Sequence, residues 1–92
     1  MPYIPKEERP QYEDLINQIV DKLAGIGDPN KRKGHYNYII FAIYKRLVKR
    51  LGIRYHNYSS LLGDLVSCVL ELYRTQIGPY ENEAREKNGD VE

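Results

Sequence analysis

The amino-acid sequence predicts an all-α fold: a three-helix bundle closed by a short fourth helix and completed by association with further copies. Three observations lead there. Apolar residues recur at i, i+3, i+4 and i+7 in three long stretches. Glycine- and proline-containing breaks separate those stretches. No stretch shows the alternation of a half-buried strand.

The first helix is predicted over Pro10 to Ala24. Tyr12, Leu15, Ile16, Ile19, Val20 and Leu23 form its apolar face, and Glu13, Asp14, Asn17, Asp21 and Lys22 take the other side. A short turn over Pro5–Arg9 precedes it. Gly25 and Gly27 end it, and Asp28-Pro29-Asn30 reads as a turn. The second helix is predicted from His35 to Leu51. Residues such as Tyr36, Ile39, Ile43, Leu47 and Leu51 spread over a face roughly 200° wide, with Lys45, Arg46, Lys49 and Arg50 on the rest. Gly52 stops it. The third begins near Asn57–Ser60, where residues cap well, and runs to Ile77. Gly63 inside it costs about 1 kcal/mol relative to alanine, which a close backbone approach would justify. Gly78-Pro79 kinks or ends it, and the polar stretch beyond forms a short fourth helix closed by Asn88-Gly89. The termini, 1–5 and 88–92, are expected to be loose, and residues 1–92 to form a single domain.

The third helix also has an apolar face roughly 200° wide, and two such faces exceed what one flat helix contact covers. A chain of 92 residues also buries only part of its apolar surface. Both points predict a homo-oligomer. No apolar run reaches the ~20 residues of a membrane span, no membrane partner is expected, and the start MPYIPKEERP lacks the apolar core of a signal peptide. One cysteine, Cys68, excludes an internal disulfide and suits a reducing, cytoplasmic compartment.

The charge is laid out in blocks. Lys31 to Arg54 carries eight cationic side chains and no acid. Residues 1–30 carry three positive and six negative charges, and residues 55–92 three and seven. A net charge of +1 therefore conceals an acid–base–acid order that suits an anionic partner. Nine tyrosines, against one phenylalanine and no tryptophan, add surfaces on which planar groups can stack.

The leading candidate site is Lys31, Arg32, Lys33, Gly34, His35, Tyr36, Asn37 and Tyr38. Placed just before a helix, the three cations would hold phosphates, helped by the free amides of Gly34 and His35. Tyr36, Asn37 and Tyr38 would meet a base. The motif is not a P-loop, and a solvated basic loop would read the same way. Arg54 and Tyr55 form a second candidate, arginine for phosphate and tyrosine for stacking. They lie at the far end of the second helix and would join the first set only across a subunit boundary. The double row Lys45/Lys49 and Arg46/Arg50 could instead follow a nucleic-acid backbone, although acidic flanks disfavour that partner.

No catalytic group stands out, so no enzyme is expected. Cys68 lies on an apolar face, His35 and His56 lack metal-ligand spacing, and Asp64 and Glu71 stand two turns apart. No cofactor is expected.

Several blocks carry a resemblance. Tyr3-Ile4-Pro5 with Glu8-Arg9, Tyr12 to Ile16, Gly34 to Ile40, Arg54-Tyr55, Glu71-Leu72-Tyr73-Arg74, Pro79-Tyr80-Glu81 and Asn88 to Val91 span nearly the whole chain. It resembles a family of small uncharacterised proteins of about this length that recurs in bacteriophage and prokaryotic genomes. Pro10 departs from that pattern, standing where a helix former is expected. The resemblance implies a binding protein rather than a catalyst. The expected ligand is a phosphate-bearing nucleotide, a cyclic immune signal among the candidates, which the protein would sequester. A protein-binding inhibitor or adaptor, and a small nucleic-acid binder, are the alternatives.

Overall fold

The computed structural model describes residues 2–91. The expected looseness at the termini falls partly on Met1 and Glu92, which lie outside the described residues. A 3-10 turn, Lys6–Glu8, leads into α1 (Pro10–Ala24), α2 (Pro29–Leu51) and α3 (Tyr55–Leu72). A π segment (Tyr73–Ile77) then joins α3 to α4 (Gly78–Asn88). All regular structure among the described residues is helical, and no helix among them is long and apolar enough to cross a membrane.

α1 has the predicted bounds, with Pro10 in its first turn, where a missing N–H does no harm. The N-terminal arm folds back, and the Arg9 Nε donates to the Ile4 carbonyl at 3.0 Å.

α2 starts six residues earlier than predicted. Asp28 is its N-cap, accepting from the Asn30 amide at 2.9 Å, and Pro29 follows in the first turn. The residues read as a turn are therefore a cap and a helix start, a pairing that favours both residue types. Arg32 fastens α1 to α2. Its guanidinium donates to the Leu23 carbonyl near the C-terminal end of α1 and to the Ile26 carbonyl just beyond it, with Nε at 3.2 and 3.1 Å.

The α2–α3 connection is also tighter than predicted. Gly52 turns the chain with φ of 124°, a conformation that side chains rarely adopt. α3 begins at Tyr55 with Arg54 as N-cap. Asn57, expected to cap, lies inside the helix and donates its side-chain amide to the Gly52 carbonyl at 2.8 Å. Across the hairpin the Tyr44 hydroxyl donates to the Tyr58 carbonyl at 2.7 Å, and the two rings stand 6.2 Å apart.

Gly78-Pro79 does not end the third helix. The π segment absorbs the proline: the Gly78 amide bonds back to the Tyr73 carbonyl, five residues earlier, and α4 continues with Pro79 in its first turn. A side chain at Gly78 would meet the Tyr73 carbonyl at 3.2 Å, so glycine suits this position. Gly89, with φ of 90°, closes α4 as predicted.

The helices do not close around a common core within one chain. α2 packs on α1 and on α3, but α1 and α3 do not pack on each other. The Tyr3 hydroxyl ties the arm to α3, donating to Glu71 Oε1 at 3.3 Å. Val48, at 1% exposure, is the sole buried residue among those described. The radius of gyration is 16.9 Å, against about 12 Å for a compact chain of this length. Between α2 and α3 an open groove of ≈ 300 Å³ is lined by apolar residues, including Ile40, Ile43, Leu47, Leu61 and Leu65.

Candidate functional site

The early start of α2 changes the geometry of the leading candidate. Gly34 and His35 are interior helical residues, so their amides are taken up by helix hydrogen bonds rather than left free for an anion. The amides at the true N-terminus already have a carboxylate beside them, that of Asp28. The free Gly34 and His35 amides expected at a helix start are therefore not present there.

What the longer helix does instead is join two stretches that the sequence kept apart. At ~100° per residue, Lys31, Tyr38, Lys45 and Lys49 fall within an arc of about 40°. Phe41 lies to one side of that arc, and His35 and Arg46 to the other. Gly34 sits between Lys31 and Tyr38 with open space where a side chain would stand. The result is one outer face of α2, about 27 Å from Lys31 to Lys49 at 1.5 Å rise per residue. It carries cations and aromatic rings and no acid.

Part of this face is concave. Tyr38, Phe41, Ala42, Lys45, Arg46 and Lys49 line a groove of ≈ 360 Å³. Tyr38 is 66% exposed and Phe41 65%. Two accessible rings stand beside three cationic heads, a combination that can stack a planar group and hold an anion attached to it.

The remaining predicted site residues are dispersed. Arg32 is committed to the Leu23 and Ile26 carbonyls. Lys33 and Tyr36 fall on the side of α2 opposite the groove, and Asn37 lies a quarter-turn from it. Arg54 caps α3, and Tyr55, 87% exposed, begins it. Both are at the far end of α2 from Lys31, about 30 Å away at 1.5 Å per residue, and neither lines the groove.

A family model described as "Domain of unknown function (DUF6899)" matches residues 1–91. The chain belongs to the DUF6899 family. No curated protein and no solved structure matches it.

In this DUF6899 chain the residue that sequence reasoning missed is Phe41. Its apolar character alone reads it into the apolar face of the second helix, beside Ile40 and Ile43. The signal was present in the spacing, since Phe41 follows Tyr38 by three and precedes Lys45 by four, which puts all three on adjoining turns.

A second polar cluster lies away from the groove. The Arg74 guanidinium forms an ion pair with the Glu71 carboxylate, its Nε at 3.0 Å from Oε1. The Arg74 hydrogen bond is the main reason the Glu71 carboxyl lies below its ordinary value, with Tyr3 adding a smaller effect in the same direction. This cluster latches the N-terminal arm to the end of α3. Among the described residues no three His, Cys, Asp or Glu side chains gather as a metal site would need.

Proposed function

We propose that this protein is a non-catalytic binder of a phosphate-bearing ligand, a nucleotide in the first instance and cyclic nucleotides included. Binding would occur on the outer face of α2. The observation that carries the reading is the groove in which Tyr38 and Phe41 stand exposed among Lys45, Arg46 and Lys49 on an acid-free helix. Each part has a separate task. The rings offer flat apolar area to a base, worth about 1–3 kcal/mol per stacked base in proteins that bind single strands. Lys45, Arg46 and Lys49 supply charge-assisted hydrogen bonds to phosphate oxygens. The groove volume, ≈ 360 Å³, lies within the range of small-ligand pockets. Lys31 and His35 extend the same face and would engage a second phosphate or a longer ligand.

The protein would act by sequestration, as its resemblance to phage-borne proteins implies, and as a homo-oligomer, since one chain holds so little core. The test is a thermal-shift screen against mono-, di- and cyclic nucleotides and a short single-stranded oligonucleotide. At ~100 times its dissociation constant a ligand raises stability by about 2.7 kcal/mol, a readily measured shift. Lys45→Ala/Lys49→Ala is expected to weaken that ligand by tenfold or more, because charged hydrogen bonds contribute about 1.5–3 kcal/mol each. Lys33→Ala, on the opposite side of the helix, should leave it unchanged. A shift by the oligonucleotide alone would point to nucleic acid. No shift by any of them would overturn the reading and favour a protein partner.

A further inference from the structure

We propose that the long apolar seam running from α3 into α4 is the surface on which a second copy of this chain docks. The inference deepens the homo-oligomer reading by naming the face, and it is independent of which ligand α2 binds.

The seam emerges from helix geometry. On α3, Leu61, Leu65, Cys68 and Leu72 fall within about 60° of one another at ~100° per residue. A plain α-helical continuation would carry the next apolar residues away from that line. The π segment prevents this. It inserts one residue into the helix, so everything beyond it rotates back by about 100°. Ile77 at the end of the π segment, and Tyr80 and Ala84 of α4, then come onto the line of Leu65 and Leu72. The seam therefore continues from Leu61 to Ala84, along a helical run whose length matches the 50 Å long axis of the chain. Leu72 is 54% exposed, Tyr80 73%, and Cys68 is exposed. Within one chain α2 partly covers the start of the seam, where Leu61, Leu65 and Cys68 line the open α2–α3 groove, and leaves Leu72 and Tyr80 bare.

The amount of uncovered surface decides what covers it. The accessible surface is 8475 Å² for a chain of 10.8 kDa, about 2,900 Å² more than a compact monomer of that mass exposes. A standard interface takes about 800 Å² from each partner, and obligate homodimers take more. A partner of another kind would leave the chain without a core whenever that partner was absent, because among the described residues Val48 alone is buried. A second copy is present whenever the chain is, and obligate homodimers need no stable lone monomer. A two-fold axis brings the same seam from both chains face to face, so that each buries the other's leucines.

Light scattering and cysteine chemistry on the full chain test this together. At micromolar concentration the mass should correspond to at least two chains. Cys68, exposed in a lone chain, should react with a disulfide dye at least about tenfold more slowly than in the urea-unfolded protein, because the docked seam shields it. Leu72→Glu should lower the mass to one chain and raise the Cys68 rate to near the unfolded value, while Ile53→Glu, in the α2–α3 turn, should do neither. If Leu72→Glu fails to fold, the Cys68 rate of the unaltered chain still decides. A folded wild-type monomer would overturn the oligomer reading itself. An oligomer whose Cys68 reacts at the unfolded rate, and which survives Leu72→Glu, would overturn only the assignment to this face.

Discussion

The outer face of α2 and the seam of α3–α4 are both exposed, and for opposite physical reasons. On α2 the exposed groups are lysines, an arginine and a tyrosine, which water solvates well, with one phenylalanine set among them. On the seam they are leucines, an isoleucine and the body of a tyrosine, which water does not. A charged face can stay open indefinitely and wait for a ligand. An apolar face of this length is costly to leave in water, which is why a second copy is proposed to cover it. Exposure alone therefore says little about function, and the chemistry of the exposed atoms separates a binding surface from an assembly surface.

Salt should separate the two faces most sharply. Raising ionic strength from ~0.05 to ~0.5 M shrinks the screening length several-fold, and nucleotide affinity on α2 should fall about tenfold. Burial of the seam does not depend on charge, so the mass by light scattering should hold over the same range, and sulfate salts should strengthen the assembly. Titration calorimetry and light scattering across one salt series check both. An affinity indifferent to salt would mean that the cations do not hold the ligand. A mass that collapses with salt would mean that charges rather than leucines join the copies.

Arg32 sharpens the membership of the basic face. By sequence it is one of three adjacent cations, equivalent to Lys31 and Lys33. By structure its guanidinium is bound to the Leu23 and Ile26 carbonyls and joins α1 to α2. Arg32→Ala should destabilise the fold by about 1.5–3 kcal/mol, the range for hydrogen bonds to a charged group. Nucleotide affinity per folded molecule should stay the same. Urea unfolding together with a binding titration distinguishes this from a phosphate ligand, whose loss would do the reverse.

The case of Arg32 shows how much was legible in the sequence. The helical class, the bounds of α1, the stop at Gly52 and the closure at Gly89 followed from periodicity and from glycine chemistry. The start of α2 did not, because Asp28-Pro29-Asn30 suits a turn as well as a cap, and only the Asp28–Asn30 hydrogen bond separates the two. That six-residue difference moved the candidate site. It took Gly34 and His35 out of a loop and aligned Lys31 and Tyr38 with Lys45 and Lys49. The π segment was equally hidden. Proline at position 79 announces a broken helix, and nothing local says that a five-residue bond from Gly78 to Tyr73 will carry the helix through.

Two glycines offer the finest test of the difference between the faces. Gly78 and Gly63 both sit in the long helical run, and both look costly by propensity alone, at about 1 kcal/mol relative to alanine. Their surroundings differ. A Cβ at Gly78 would press on the Tyr73 carbonyl at 3.2 Å, the same carbonyl that accepts the π bond. A Cβ at Gly63 meets nothing within 4 Å, and at ~100° per residue Gly63 points away from the seam. Gly78→Ala should therefore lower stability, or gain nothing from its better propensity, and by disturbing the π turn it should also loosen the alignment of Ile77 and Tyr80 with Leu72. Gly63→Ala should raise stability by up to about 1 kcal/mol with the oligomeric mass unchanged. Thermal melts with light scattering on both variants measure the pair. If Gly63→Ala were the destabilising one, a neighbouring backbone must approach α3 on the side opposite the seam. The assembly surface would then have to be redrawn around Gly63.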